Sequence, residues 1–245
     1  MPAVPLSVLA AVDFSEASAR AVALGGLIAD ECGAAAFRLL HVEAAEAPAY
    51  FTHDQVEALE HQQQAMRAQA ERFLAQFGRR HTTHPLLPVV AEGSPSDAIL
   101  RESLTADLVV MGTHGRRGPK RWWLGSVAER VLRDVRRPLL IVRAEMAGPV
   151  DAVFSRVLVH SAAPLTGVDT LAYARQLTAC FHGEVIDGRL EPIEPALAAA
   201  RATLLVVATP VPQTSAWLSD YGEPLVRFCT VPILFVPEAS QGASS

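Results

Sequence analysis

The chain has 245 residues and a mass of 26.2 kDa, room for one large domain or two small ones at ~100–200 residues each. Half of the residues are hydrophobic, 6% are aromatic and 19% are charged, which supplies an aliphatic core and leaves no case for disorder. The net charge of −5 excludes a general polyanion binder, so no nucleic acid partner is expected.

Nowhere do ~18 apolar residues follow one another without a charge, so no membrane partner is expected either. The opening segment from Met1 to Glu16 has no basic start, and its apolar run breaks at Asp13, unlike a secretory leader. Cys32, Cys180 and Cys229 are odd in number and widely spaced, which fits reduced, mostly buried thiols rather than a disulfide framework or a zinc site. A cytoplasmic location is the expectation.

In chain order, the aliphatic runs Val8–Val12, Phe37–Val42, Leu86–Val90, Leu108–Met111 and Leu139–Val142 read as strands. Between them, Ser15–Cys32, His53–Phe77, Pro95–Leu104 and Ser126–Val135 read as helices. The strand runs lack clean alternation, as expected when both faces are covered. They predict an α/β fold with an open, five-stranded, mostly parallel sheet and flanking helices. Ser15 and Ser94-Pro95 supply helix starts.

Beyond Gly148-Pro149 the pattern returns. Ser7–Val12 is echoed by Arg156–His160, Ala106–Thr113 by Ala202–Thr209, and Arg137–Val142 by Val231–Val236, all in the same order. The chain therefore reads as two diverged copies of one unit: residues 1–147, a shortened second copy over 151–238, and a flexible tail, 239–245. The second copy has no counterpart of the segment Gln55–Arg72.

The charge is unevenly placed. Arg116, Arg117, Lys120, Arg121, Arg130, Arg133, Arg136 and Arg137 are opposed only by Glu129 and Asp134. The later arginines suit a helix C-terminus, but the earlier four cations sit in a glycine-bearing loop. The stretch Val109 to Arg130 reads as a strand ending in glycines, a basic loop, and a glycine opening a helix. Ligands of open α/β sheets lie beyond the carboxyl ends of the strands, where strand order switches. Glycines there let backbone N–H groups approach phosphate, and a helix start at Gly125-Ser126-Val127 adds unpaired donors and a positive dipole end. The Ser126 hydroxyl either donates to a phosphate or caps its own helix. No Gly-Lys-Ser/Thr closes the loop and no G-x-G-x-x-G is present, so it is neither a Walker nor a dinucleotide motif.

The spacing Gly112-x-x-Gly115, nine residues, then Gly125-Ser126 resembles the ATP-binding signature of the universal stress protein family. Asp13 in Ala-Val-Asp-Phe-Ser-Glu resembles that family's strand-one aspartate. The resemblance covers nearly the whole of residues 5–145, including Leu40-His41-Val42, Glu92-Gly-Ser-Pro95 and Ala128-Glu-Arg-Val-Leu132. It implies that Asp13 faces the ribose or metal-bound phosphates, that Val42 lines an adenine pocket, and that Gly112, Thr113, His114, Gly115, Gly125, Ser126 and Val127 hold ribose and phosphates. Val12, Phe14, Met111 and Arg116 complete the candidate set. The implied ligands are ATP and Mg²⁺, with Asp13 on the metal, and the implied role is that of a stress-responsive or regulatory protein.

Family resemblance also implies pairing through the last strands, Leu139–Val142 and Ile233–Val236, which makes an intrachain pseudo-dimer the expectation and a homodimer a further one. In the second copy Ala162 stands in Asp13's place, Ala208 and Val211 in those of Gly112 and Gly115, and Ser219-Asp220 in that of Gly125-Ser126. Side chains and Pro210 then occupy space that amides must cede to phosphate. One nucleotide per chain is expected.

Competing readings bear on several residues. Asp13 could cap the first helix instead of binding; His41 reads as a packed core residue; His53 and His61, with Glu57 and Glu60, make a weak metal set; His81 and His84 read as exposed loop residues. Hydrolysis of ATP requires a group that positions water, and no base is evident beyond Asp13 and Glu16, so at most slow turnover is expected. An adenine-nucleotide α-hydrolase-type enzyme is one alternative, weakened by the missing serine-rich loop after the first strand. A structural interaction module with an empty loop is the other.

Overall fold

A computed structural model describes residues 7–43, 53–113, 125–145, 148–161, 165, 168–189, 192–211, 213 and 215–239, with the backbone alone over 53–63 and at 215 and 239. Nine strands form a single sheet: β1 (Ser7–Ala11), β2 (Ala36–Glu43), β3 (Leu87–Glu92), β4 (Leu108–Thr113), β5 (Leu139–Arg143), β6 (Arg156–His160), β7 (Glu184–Asp187), β8 (Leu204–Val211) and β9 (Ile233–Ala239). The helices are α1 (Glu16–Glu31), α2 (His53–Arg79), α3 (Pro95–Ser103), α4 (Ser126–Asp134), α5 (Val168–Ala179), α6 (Ile193–Ala200), α7 (Ser215–Trp217) and α8 (Glu223–Phe228), the last two joined by a π-helical turn, Leu218–Gly222.

The strand order is β3-β2-β1-β4-β5-β9-β8-β6-β7. Every pairing within a half is parallel, which requires crossover connections between paired strands. The halves meet where β5 and β9 run antiparallel, with Leu139 opposite Phe235, Leu140 opposite Leu234 and Ile141 opposite Ile233. In spatial terms β9, β8, β6 and β7 retrace β5, β4, β1 and β2, and among the described residues nothing retraces β3.

Both faces are covered, which explains the near-continuous aliphatic strands. On one face α1 and α5 share a core built around Leu24, Ile28, Phe37, Phe154 and Leu177. On the other, residues of α3, α4, α6 and α8 pack on Leu9, Val109, Leu139, Leu205 and Phe235. Each core runs across both halves. Arg143, at the end of β5, adds a polar tie: its guanidinium donates to the carbonyls of Val226, Arg227 and Cys229, each at 3.3 Å, satisfying orphan acceptors at the end of α8.

Candidate nucleotide cleft

Strand order switches between β1 and β4, because the chain builds β2 and β3 on one side of β1 before returning to place β4 on the other. Beyond that point β1 leads into α1, and α4 is the next described element after β4. A cleft of about 270 Å³ opens at this point, at the small end of ligand pockets, which run ~300–1,000 Å³.

Its lining draws on five elements and the loop after β1. Ala11, Val12 and Asp13 come from the end of β1, and Leu40, His41 and Val42 from β2. Met111, Gly112 and Thr113 end β4, Pro95 and Ile99 belong to α3, and Gly125, Ser126, Val127 and Ala128 open α4. One wall is therefore aliphatic, formed by Leu40, Val42, Ile99 and Met111. The first turn of α4, whose amides have no intrahelical acceptor, belongs to the same lining.

The start of α4 contrasts with that of α1. Ser15 caps α1 by accepting the Ser18 N–H at 3.1 Å, as Ser commonly does. At α4 the cap position is Gly125, and no side chain caps the turn. Ser126 is the first helical residue and exposed, so its hydroxyl does not cap α4. A methyl group built on Gly125 meets nothing within 4 Å among the described residues. Open space in front of uncapped amides suits an anionic ligand.

Asp13 is exposed at the rim, and its Oδ1 accepts the Ser15 N–H at 3.1 Å and the Ser15 hydroxyl. The carboxylate thus orients the residue that caps α1 while lining the cleft, so the two readings of Asp13 coexist. Gly112 has a use unrelated to phosphate: a Cβ there would lie 2.5 Å from the Ala17 carbonyl carbon and 2.6 Å from the Ser18 nitrogen. Its bare backbone lets α1 lie close on β4.

The structure brings Val12, Asp13, Val42, Met111, Gly112, Thr113, Gly125, Ser126 and Val127 together around the cleft. It turns Phe14 away. Phe14 has φ +60°, rare for a bulky residue, and its ring packs on His41, Phe73 and Phe77 at centroid distances of 4.5, 4.9 and 5.3 Å. His114, Gly115 and Arg116 lie outside the described residues, as do Arg117, Lys120, Arg121 and the pair Trp122-Trp123. The later arginines are engaged locally: Arg130 pairs with Asp97 and Arg133 with Glu129, both at 2.6 Å, and Arg137 donates to the Leu104 carbonyl.

His41 corrects the expectation of a core residue. Half-buried, it lines the cleft, and its Nδ1 lies 2.8 Å from the Val12 carbonyl, a contact that requires the proton on Nδ1 and directs Nε2 elsewhere. Its signal in the sequence was its position on the strand beside β1, two residues before that strand ends. His81 and His84 are half-buried rather than exposed: His81 packs on Phe77, and His84 pairs with Asp30 beside Phe37. The side chains of His53 and His61 lie outside the description. Among the described residues no three His, Cys, Asp or Glu side chains gather as a metal site, and no helix is long and apolar enough to cross a membrane.

The family model described as the universal stress protein family matches residues 6–143, the stretch that carries every residue of this cleft. The chain belongs to the universal stress protein family. A universal stress protein of Methanocaldococcus jannaschii is 48% identical over 54 residues, 21% of this chain and 32% of that protein. One of Mycobacterium bovis is 39% identical over 82 residues, 34% of this chain and 28% of that protein. The matched segments thus span about a third of the length of these curated relatives. In structure, a universal stress protein of Archaeoglobus fulgidus aligns over 94% of this chain and 98% of its own with a TM-score of 0.65 at 18% identity. At that identity the likeness shows that the family's fold extends over both halves.

Proposed function

We propose that the cleft between β1 and β4 binds one adenine nucleotide, ATP foremost, and that the protein is a regulatory, stress-responsive nucleotide-binding chain rather than an efficient enzyme. The reading rests on one observation: aliphatic side chains and an uncapped helix start line the same cleft at the switch point of the sheet. The base would lie against Leu40, Val42 and Ile99, and the phosphates would run toward the amides of Ser126, Val127 and Ala128. Asp13 would stand beside the ribose or a phosphate-bound Mg²⁺. The second half would serve as a structural partner, its β9 covering the β5 edge that an isolated first half would expose. This is the pseudo-dimer reading of the 1–147 and 151–238 units.

Calorimetric titration of the full chain with ATP, in the presence and absence of magnesium, tests the proposal. One site per chain is expected. Gly125→Val should weaken ATP binding at least tenfold and lower stability by no more than about 1 kcal/mol, because the protein leaves room for the side chain while the ligand would not. Asp13→Ala should cost more affinity with magnesium than without it. An absence of ATP binding, or unchanged affinity in Gly125→Val, overturns the reading and leaves the structural module. Pyrophosphate release from ATP with an added acceptor would favour the α-hydrolase-type enzyme instead.

A further inference from the structure

Helices α3 and α4 precede β4 and β5 in the first half as α6 and α8 precede β8 and β9 in the second. The register within each pair is fixed by burial and caps. Counted back from the last helical residue, buried Ile99 and Ser103 of α3 match buried Ala196 and Ala200 of α6, which sets Glu194 in the place of Asp97. Buried Val131 and Leu132 of α4 match buried Leu225 and Val226 of α8, and Val131 and Leu225 each accept the N–H of their helix's cap residue. Pro224 therefore stands in the place of Arg130. In the first half Arg130 Nη2 and Asp97 Oδ1 lie 2.6 Å apart and clasp α3 to α4. The second half keeps the acid and replaces the cation by a proline, and Glu194 makes no ion pair among the described residues.

Where the first half has this clasp, the second has a groove of about 520 Å³ lined from α6, α8 and the π-helical turn between α7 and α8. That volume lies within the ~300–1,000 Å³ of small-molecule sites. Leu197 and Leu225 supply aliphatic lining, Tyr221 and the exposed Phe228 supply rings, and Glu194 and Asp220 supply carboxylates. Asp220 accepts the Ser219 hydroxyl at 3.0 Å. Among the described residues no Lys, Arg or His lines the groove. Two carboxylates beside apolar surface, without a countercharge in the lining, favour a positive occupant, and ring faces attract a cation as well. We propose that this groove binds an organic cation, a small molecule with an apolar body and a protonated amine. Its ammonium group takes the part that the Arg130 guanidinium plays in the first half, resting on Glu194 and Asp220, and its body lies along the apolar lining as an arginine stem does. The site lies apart from the cleft between β1 and β4, shares no residue with it, and stands whether or not that cleft takes a nucleotide.

The test is a heteronuclear NMR titration of the full chain, without nucleotide, with three probes that share one body: phenylbutylamine, phenylbutanol and phenylbutyrate. The amine should give saturable shifts in the amide signals of α6, α8 and the turn before α8, with an affinity about fivefold or more above that of the alcohol, as a half-exposed ion pair supports. The acid should be weaker still. Glu194→Gln should bring the amine close to the alcohol, because it removes charge and keeps shape. Pro224→Arg, which restores the cation of the first half, should weaken the amine about tenfold by occupying Glu194. Equal affinity for amine and alcohol in the wild type overturns the proposal, as do shifts confined to other parts of the protein. So does a preference for the amine that survives Glu194→Gln, or unchanged amine binding in Pro224→Arg. The comparison of the three probes is read on the unaltered protein, so a variant that failed to fold would not obscure the result.

Discussion

The two halves place the same strands at their switch points and do different things with the space beyond them. Val8 pairs with Leu108 in the first half and Val157 with Leu204 in the second, so Ala11 corresponds to His160 and Gly112 to Ala208. In the first half the strand ends open on the cleft. In the second, His160 is 7% exposed and stacks on Tyr221 at 5.9 Å, while Trp217 tilts against Tyr221 and meets Phe235 edge-on. Pro210 and Val211 continue β8 alongside β9, two residues beyond the point where β4 ends. A groove on the second half lies further out, between α6 and α8. Sheet order supplies a switch point in each half; in the second, the described residues there include a buried histidine with aromatic neighbours.

The largest effect is expected where both halves depend on one contact. Phe235, buried and opposite Leu139 at the junction, should cost about 3–5 kcal/mol when replaced by alanine, in a single urea transition seen alike by near- and far-UV circular dichroism. Separate transitions would show that the halves fold as independent units. A reciprocal pair comes next. Gly112→Ala should destabilise by about 2–3 kcal/mol, because its methyl group would meet the backbone of α1. The corresponding Ala208→Gly should cost about 1 kcal/mol, through backbone entropy. Equal losses would show that α1 is free to shift away from β4.

The smallest effect is a pH dependence. Burial pushes the His160 imidazole below its usual range, partly offset by its contact with the Gly188 carbonyl. The unfolded chain therefore takes up this proton at a higher pH than the folded chain, near pH ~6.5. Stability is fully present above that value and is lost as pH falls through it toward the folded value. Chemical denaturation between pH 7.5 and 5.5 should show this decline, and His160→Phe should flatten it. Some slope should remain, because burial and Arg80 lower His81 in the same direction. An unchanged slope in the variant would show that the imidazole of the filled crevice is not linked to folding.

The element order, the repeat and most of the cleft were legible in the residues themselves. An aliphatic run buried on both faces, such as Leu108–Met111, announces a central strand whatever surrounds it. Ser15 and Gly125 mark helix starts by chemistry that acts within a few residues. The cleft was expected where a strand ends in glycines and a helix opens at Gly125-Ser126, whereas the strand order that makes β1 and β4 neighbours comes from the tertiary structure. What neighbouring residues could not encode were contacts made at a distance. The left-handed backbone at Phe14 takes its ring to α2 and out of the cleft. Gly112 serves the approach of α1 as well as lining the cleft, and His41 is turned by the Val12 carbonyl.

Local chemistry of strands and helices determined which segments are alike, because hydrophobic periodicity and caps are properties of short stretches. Tertiary structure alone decided how the copies are joined. The antiparallel register of β5 on β9 and the stacking of Tyr221 on His160 depend on residues far apart in the chain. Their proximity is set by the packing of two halves onto one sheet, where burial of both faces fixes position in space and no short-range pattern carries that information.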